Sequence, residues 1–257
     1  MYNTDINILG GIPNYDLIYR ALPLLIDAKD DLQNTLINNN EFDFRTERSR
    51  KRFFTLLKSA FISDNPEINK WSSKLIQNLK DDEKSQALVI FWLFSLNNQL
   101  FFDLNRDVYF NYFFQGRTEL PKSDVVAYLK DKLATNVELK NKWSEKTINT
   151  VSYKYLSVLK KMYLLEGSRK KTFQMVRISD QMLAVFIHLI DLKQPQYPNL
   201  LDDDFLWFSF VPKENIITRL KILGKKDWIK MNYTGTSLKV EGVYKPNKII
   251  DGIFGRA

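Results

Sequence analysis

Residues 82–114 are almost continuously apolar and aromatic, interrupted only by NNQ at 97–99 and DLNRD at 103–107, and centred on ALVIFWLFSL at 87–96. Such a segment must be withdrawn from water wherever it sits. A bilayer span takes roughly 20 apolar residues. The central run has ten and is flanked by Lys84, Gln86, Asn97 and Asn98. Two or three buried helices at the centre of a helical bundle are therefore expected, because the length favours helix over a buried strand. Only nine glycines and eight prolines occur in 257 residues, which suits helices better than a turn-rich sandwich.

The rest of the chain reads as helices around this centre. Residues 14–38 repeat apolar side chains at helical spacing, with a kink expected at Pro23. RTERSRKRFFTLLKSAF starts near Thr46 and offers Phe53, Leu56, Leu57, Ala60 and Phe61 as one apolar face. Asn65-Pro66 breaks the chain before the helix PEINKWSSKLIQNLK. Leu120-Pro121 ends the central segment, and Ser123 or Asp124 can cap VVAYLKDKLA. Ser144 can cap SEKTINTVSYKYLSVLKKMYLLEG, with Gly167 as its stop. SRKKTFQMVRIS reads as a short strand pair or wing, and SDQMLAVFIHLIDL as a further helix. Beyond the loop PQYPNLLDDD comes the helix ENIITRLKILGK, stopped by Gly224. DWIKMNYTGTSLKVEGVY then forms a hairpin turning at Thr234-Gly235-Thr236. The expected fold is mainly α, a helical bundle with helix-turn-helix or winged-helix-like elements and a small C-terminal β-hairpin. Three domains are expected: 1–116, helical with an arginine-rich helix; 117–195, like a winged helix-turn-helix; and 196–257, a small α+β segment with a basic hairpin.

Several chemistries are disfavoured by what is missing. There is no cysteine and a single histidine, His188, inside MLAVFIHLI, where a satisfied core residue is the expected role. Transition-metal sites and Ser-His-Asp catalysis are thus not expected. Nor does a phosphate-binding glycine loop or dinucleotide fingerprint occur; LGG at 9–11 is too little. The expectation is a non-enzymatic protein with no cofactor, no metal and no small-molecule substrate. The three carboxylates at 202–204 are read as a solvated acidic loop. The N-terminus lacks a basic region followed by an apolar core, and a cytoplasmic protein without a membrane anchor is expected.

The net charge of +8 is unevenly placed. Residues 122–171 hold twelve Lys/Arg against five Asp/Glu, and residues 213–256 ten against four, so the remainder sums to −5. Basic segments of this kind are the electrostatic footprint of a polyanion-binding protein. Within 122–178 the order is helix, short connection, helix, basic wing, the layout in which the second helix enters the major groove of DNA. Lys146, Thr147, Asn149, Thr150, Tyr153 and Lys154 would face the groove, while Tyr155, Leu156, Val158, Leu159 and Met162 would pack. Arg169, Lys170 and Lys171 at the wing would sit on phosphates, which fix register without reading sequence. A second candidate is TERSRKRFF, where Arg48 and Arg52 share a helix face, Arg45 lies three before Arg48, and Arg50 and Lys51 add charge. Glu47 is the only acid between 44 and 63.

Taken in order, LGG, RTERSRKRF, Trp71, the long apolar middle and WSEKTINTVSYKYLSVLKKMYLLEG with its wing resemble the BrxA family of bacterial phage-exclusion (BREX) systems, proteins once labelled as inner-membrane proteins. The likeness covers roughly residues 5–190 and is most specific from Trp143 through Gly167. It implies a small, mainly helical, non-enzymatic protein of bacterial antiviral defence that binds double-stranded DNA beside other BREX subunits. On the matching segments it implies DNA contacts by Lys146, Thr147, Asn149, Thr150 and Lys154, and by Arg48, Arg50 and Arg52. The alternative is an adaptor whose basic faces dock acidic surfaces of other defence subunits without binding DNA.

Overall fold

The computed structural model describes residues 10–12, 14–140, 142–195 and 198–255. The N-terminal residues 1–9, Gln196 and Tyr197 of the acidic loop, and Arg256 of the basic C-terminal segment lie outside the described residues. The chain divides into two compact units, and not at the boundaries expected from sequence. Unit 1 comprises 1–62 and 82–175, and unit 2 comprises 63–81 and 176–257. The segments 1–116 and 117–195 are therefore not separate bodies: most of both lies in unit 1, while the helix after Asn65-Pro66 joins the C-terminal part.

Unit 1 opens with α1 (Asp16–Asp27). The helix runs through Pro23 and breaks instead at Ala28, whose backbone is non-helical, before α2 (Lys29–Leu32) and a π-helical turn, Gln33–Asn38. α3 (Glu47–Phe61) starts as expected, with the Thr46 side chain accepting the Ser49 N–H. Phe53, Leu56, Leu57, Ala60 and Phe61 are all buried. α5 (Glu83–Asn97) holds Ala87 through Phe94 in the core with no wet face; α4 belongs to unit 2. Asn98 caps the next segment by accepting the Phe101 N–H at 2.8 Å. That segment is α6 (Gln99–Leu104), a π-helical turn Asn105–Tyr109, and α7 (Phe110–Phe114). No single helix among the described residues is long and apolar enough to cross a membrane, and α5 meets the helix after it at 114°.

The polar interruption DLNRD is not a solvated loop. Asp103 and Asn105 are buried, and they hold the two helices that follow. These are α8 (Lys122–Thr135) and α9 (Glu145–Lys161). Asp103 takes the Lys132 ammonium at 2.6 Å. Asp107 accepts the Tyr128 hydroxyl at 2.6 Å and sits 2.5 Å from Arg106 Nε. Burial works to raise the Asp107 carboxyl, but these hydrogen bonds outweigh it and hold the group below its usual range. Asn105 donates to the Phe101 carbonyl and accepts the hydroxyl of Tyr155 from α9 at 3.1 Å. A buried polar group left unsatisfied costs about 1–3 kcal/mol, so these pairings specify where α8 and α9 dock.

β1 (Leu165–Glu166) and β2 (Thr172–Phe173) form a short antiparallel hairpin. The stretch before α8 adds to its edge: Leu120 N–H donates to the Lys171 carbonyl, Phe173 N–H donates to the Thr118 carbonyl, and Glu119 pairs with Thr172.

Unit 2 contains α4 (Pro66–Asn78), α10 (Asp180–Lys193), α11 (Lys213–Lys225), the hairpin β3 (Ile229–Tyr233) and β4 (Leu238–Gly242), and α12 (Ile249–Phe254). α11 continues one residue past Gly224, and Gly235 takes a positive φ in the expected turn. His188 is buried, with Nδ1 2.9 Å from the Ala184 carbonyl. Its Nε2 has no partner among the described residues, so the residue is only half satisfied there, and burial pushes its pKa down. Of the three carboxylates at 202–204, Asp203 departs from the solvated reading. It is buried, accepts the Phe205 N–H at 2.9 Å and pairs with Lys193 at 3.5 Å.

Candidate nucleic-acid interface

α9 begins where the sequence places it. The Ser144 hydroxyl accepts the Thr147 N–H at 3.3 Å, and Glu145 in the first turn complements the positive helix end. It ends earlier than the Gly167 stop predicts. The last helical residue is Lys161, Tyr163 takes the left-handed conformation at φ 58°, and Leu164 N–H folds back onto the Leu159 carbonyl. Gly167 serves the hairpin turn instead. Its φ is 85°, and a Cβ there would lie 2.2 Å from the Lys170 carbonyl oxygen. At the other helix, neither Ser123 nor Asp124 caps α8, which starts from Pro121. Asp124 accepts the Tyr112 hydroxyl at 2.7 Å.

Two faces of α9 separate as expected. Tyr155, Leu156, Val158, Leu159 and Met162 are buried. Burial first, and then the neighbouring Tyr109 and Tyr128, drive the Tyr155 phenol far above its ordinary range, so it acts as a neutral donor. On the other face Lys146, Asn149 and Thr150 are exposed and Tyr153 is 61% exposed. The polar groups of Asn149 and Thr150 are already engaged locally. Asn149 donates to the Glu145 carbonyl and accepts Lys122 Nζ at 3.0 Å, and Thr150 donates to the Lys146 carbonyl at 2.8 Å. Thr147 is half-buried beside Ser144. Lys154 departs from the expectation of a groove-facing cation. It is half-buried with its stem against Gly10, where an added Cβ would meet its Cδ at 2.9 Å.

At the hairpin tip the three cations behave differently. Arg169 is exposed and, among the described residues, without a partner. Lys170 pairs with Glu119 at 3.2 Å. Lys171 folds back to donate to the Gly167 and Ser168 carbonyls, and partial burial, then the neighbouring Lys160, lowers its pKa. On α3, Arg48 and Arg52 are exposed, as is Arg45 just before the helix, and no carboxylate among the described residues pairs with them. Lys51 is held by Glu47 at 2.5 Å. Arg50 is half-buried, its Nε enclosed and without a partner among the described residues. Of the cations singled out in the sequence, Arg45, Arg48, Arg52, Lys146 and Arg169 are exposed and unpaired among the described residues, all in unit 1. Lys122 escaped the sequence reading; nothing in its spacing announces that it orients Asn149. Among the described residues no group of three or more His, Asp or Glu could hold a metal ion.

Comparison with known proteins gives three findings. The family model named BrxA matches residues 18–188. The chain is similar in fold to the crystal structure of an uncharacterized protein from Magnetospirillum magneticum, at 19% identity and a TM-score of 0.55, over 69% of this chain and 88% of that one. None of the curated proteins matches the chain significantly in sequence.

Proposed function

The chain belongs to the BrxA family and so is a component of a BREX phage-defence system; from that premise we propose that it binds double-stranded DNA through unit 1. The observation that carries the reading is the arrangement of residues 118–173. An edge stretch, two packed helices and a two-stranded hairpin follow in the order of a winged helix-turn-helix, and the edge stretch pairs with the second hairpin strand. In such a unit the first turns of the second helix lie in the major groove and the hairpin tip reaches the backbone. Here those positions carry Lys146, Asn149, Thr150 and Tyr153, and Arg169.

Phosphate contacts dominate the affinity, because the unpaired groups are Lys146, Arg169 and the α3 arginines. Base reading falls to Asn149, Thr150 and Tyr153. No arginine stands on the exposed front of α9 to fork onto guanine, and Asn149 must give up its bond to Lys122 to read adenine. Weak sequence preference follows. The protein acts as a binding component and not as an enzyme.

The test is fluorescence anisotropy with a short random-sequence duplex across a salt series. Binding should weaken linearly in log salt, and Lys146→Glu/Arg169→Glu should make the slope shallower by about 2, one phosphate contact for each residue. No binding by the folded wild type at low salt rejects the reading. Retention of acidic partner subunits on co-purification would then favour the adaptor.

A further inference from the structure

Behind the DNA-facing turns of α9, unit 1 holds a half-open cleft of about 540 Å³. Its walls include Tyr153, Ser157, Lys160 and Lys161 from the second half of α9, then Tyr163 and, from the hairpin, Lys171. Three lysines thus line one concavity. Against them stand one carboxylate, Glu83, and about half a negative charge at the C-terminal end of α9. Glu83 is engaged with the Tyr163 hydroxyl, and its single charge leaves the three lysines in excess. Lys161 is partly buried and tied to the carbonyls of Gly10 and Ile12. Burial and then Lys154 lower its pKa, as burial and then Lys160 lower that of Lys171. Lys160 has no partner among the described residues.

Like charges gathered in a cleft repel one another and are stabilised by an anion between them. The size excludes a bare ion as the natural occupant, since clefts of 300–1,000 Å³ suit molecules of cofactor size. Two tyrosine rings, Tyr153 at 61% and Tyr163 at 37% exposure, offer aromatic faces at the rim, and bases stack on such faces whatever their sequence. We propose that this cleft binds a nucleotide, its phosphate held by Lys160, Lys161 and Lys171 and its base against Tyr153 or Tyr163. Two sources share that chemistry: a free nucleoside monophosphate and the 5′-phosphorylated end of a nucleic-acid strand.

The test is calorimetric titration of the full chain at low salt with AMP, GMP, CMP and TMP, with adenosine and inorganic phosphate as controls. At least one monophosphate should bind at one per chain, at least tenfold tighter than adenosine or phosphate. Ser157→Trp, which fills the cleft without changing charge, and Lys160→Ala should each weaken it at least tenfold. Duplex affinity in Ser157→Trp separates this site from the DNA face, since losing the monophosphate while keeping the duplex assigns the two to different surfaces. A 5′-phosphorylated tetrathymidylate decides the source. Tighter binding than TMP, lost when the phosphate is omitted, assigns a strand end, and equal or weaker binding assigns the free nucleotide. The proposal is overturned if no monophosphate binds, if inorganic phosphate binds as tightly, or if binding survives both substitutions in proteins that melt like the wild type.

Discussion

The same local grammar, a lysine-bearing helix followed by a hairpin, occurs in both units and is put to different use. In unit 1, α9 is followed by strands of two residues each, and Arg169 stands bare at their tip. In unit 2, α11 is followed by strands of five residues that are anchored to neighbouring elements. Gly242 N–H donates to Asp191 of α10, Leu238 N–H donates to Asn199, and His188 fills the space where a Gly242 side chain would stand. Two cations of α11 and its end, Arg219 and Lys226, converge on Asp180 at 2.8 and 2.9 Å. The two basic segments have nearly equal net charge, so charge counting treats them alike. What separates them is the length of the strands and the neighbours that tie each hairpin down.

The sharpest way to break this contrast is Gly242→Val. A Cβ there would come 2.6 Å from a ring carbon of buried His188. Overpacking of this kind should cost roughly 1–3 kcal/mol, read as a lower urea midpoint. An unchanged midpoint would mean the hairpin is not docked on α10. On the binding side, Lys146→Glu/Arg169→Glu should weaken duplex binding about tenfold, or 1.4 kcal/mol, whereas Lys230→Glu/Lys239→Glu on β3 and β4 should change it less than threefold. Equal losses would make the two hairpins functional equals.

Helix caps supply a matched control. Ser144 and Ser179 cap α9 and α10 with the same bond, to Thr147 and Met182. Each Ser→Ala change should cost about 1 kcal/mol by urea unfolding, and a much larger effect in one would show coupling beyond the cap. The smallest effect is expected from Asp180→Asn, below about 1 kcal/mol because the pairs are part-exposed. Hydrogen bonds from Lys226 and then Arg219 hold the Asp180 carboxyl below its usual range despite some burial. A depressed pKa gives stability that is present above the unfolded value, near 3.9, and is lost as pH falls through the folded one. The wild-type advantage over Asp180→Asn in urea midpoint should thus be present at pH 7 and shrink below pH 4.

Much of unit 1 was legible. The cap at Ser144, the apolar back of α9 and the apolar face of α3 follow from local rules: a side-chain oxygen before a helix, and a period of 3.6 residues. The stop of α9 was not, because a left-handed tyrosine took the place the pattern reserves for glycine. Nor was the cover over Lys154, since Gly10 lies 144 positions away in the chain.

The sequence by itself determined that this chain buries a helical centre too short to span a membrane, where α3, α9 and α10 start, and that its basic charge lies in two segments. Those properties are local, set by composition and by spacing within a few residues. Only the tertiary structure decided which polar residues are buried, as with Asp103, Asn105 and Asp203, which cations remain bare, and that three lysines surround one cleft. Each depends on the partner brought alongside by distant parts of the chain, and a charge or an amide carries no local mark of the partner it will meet.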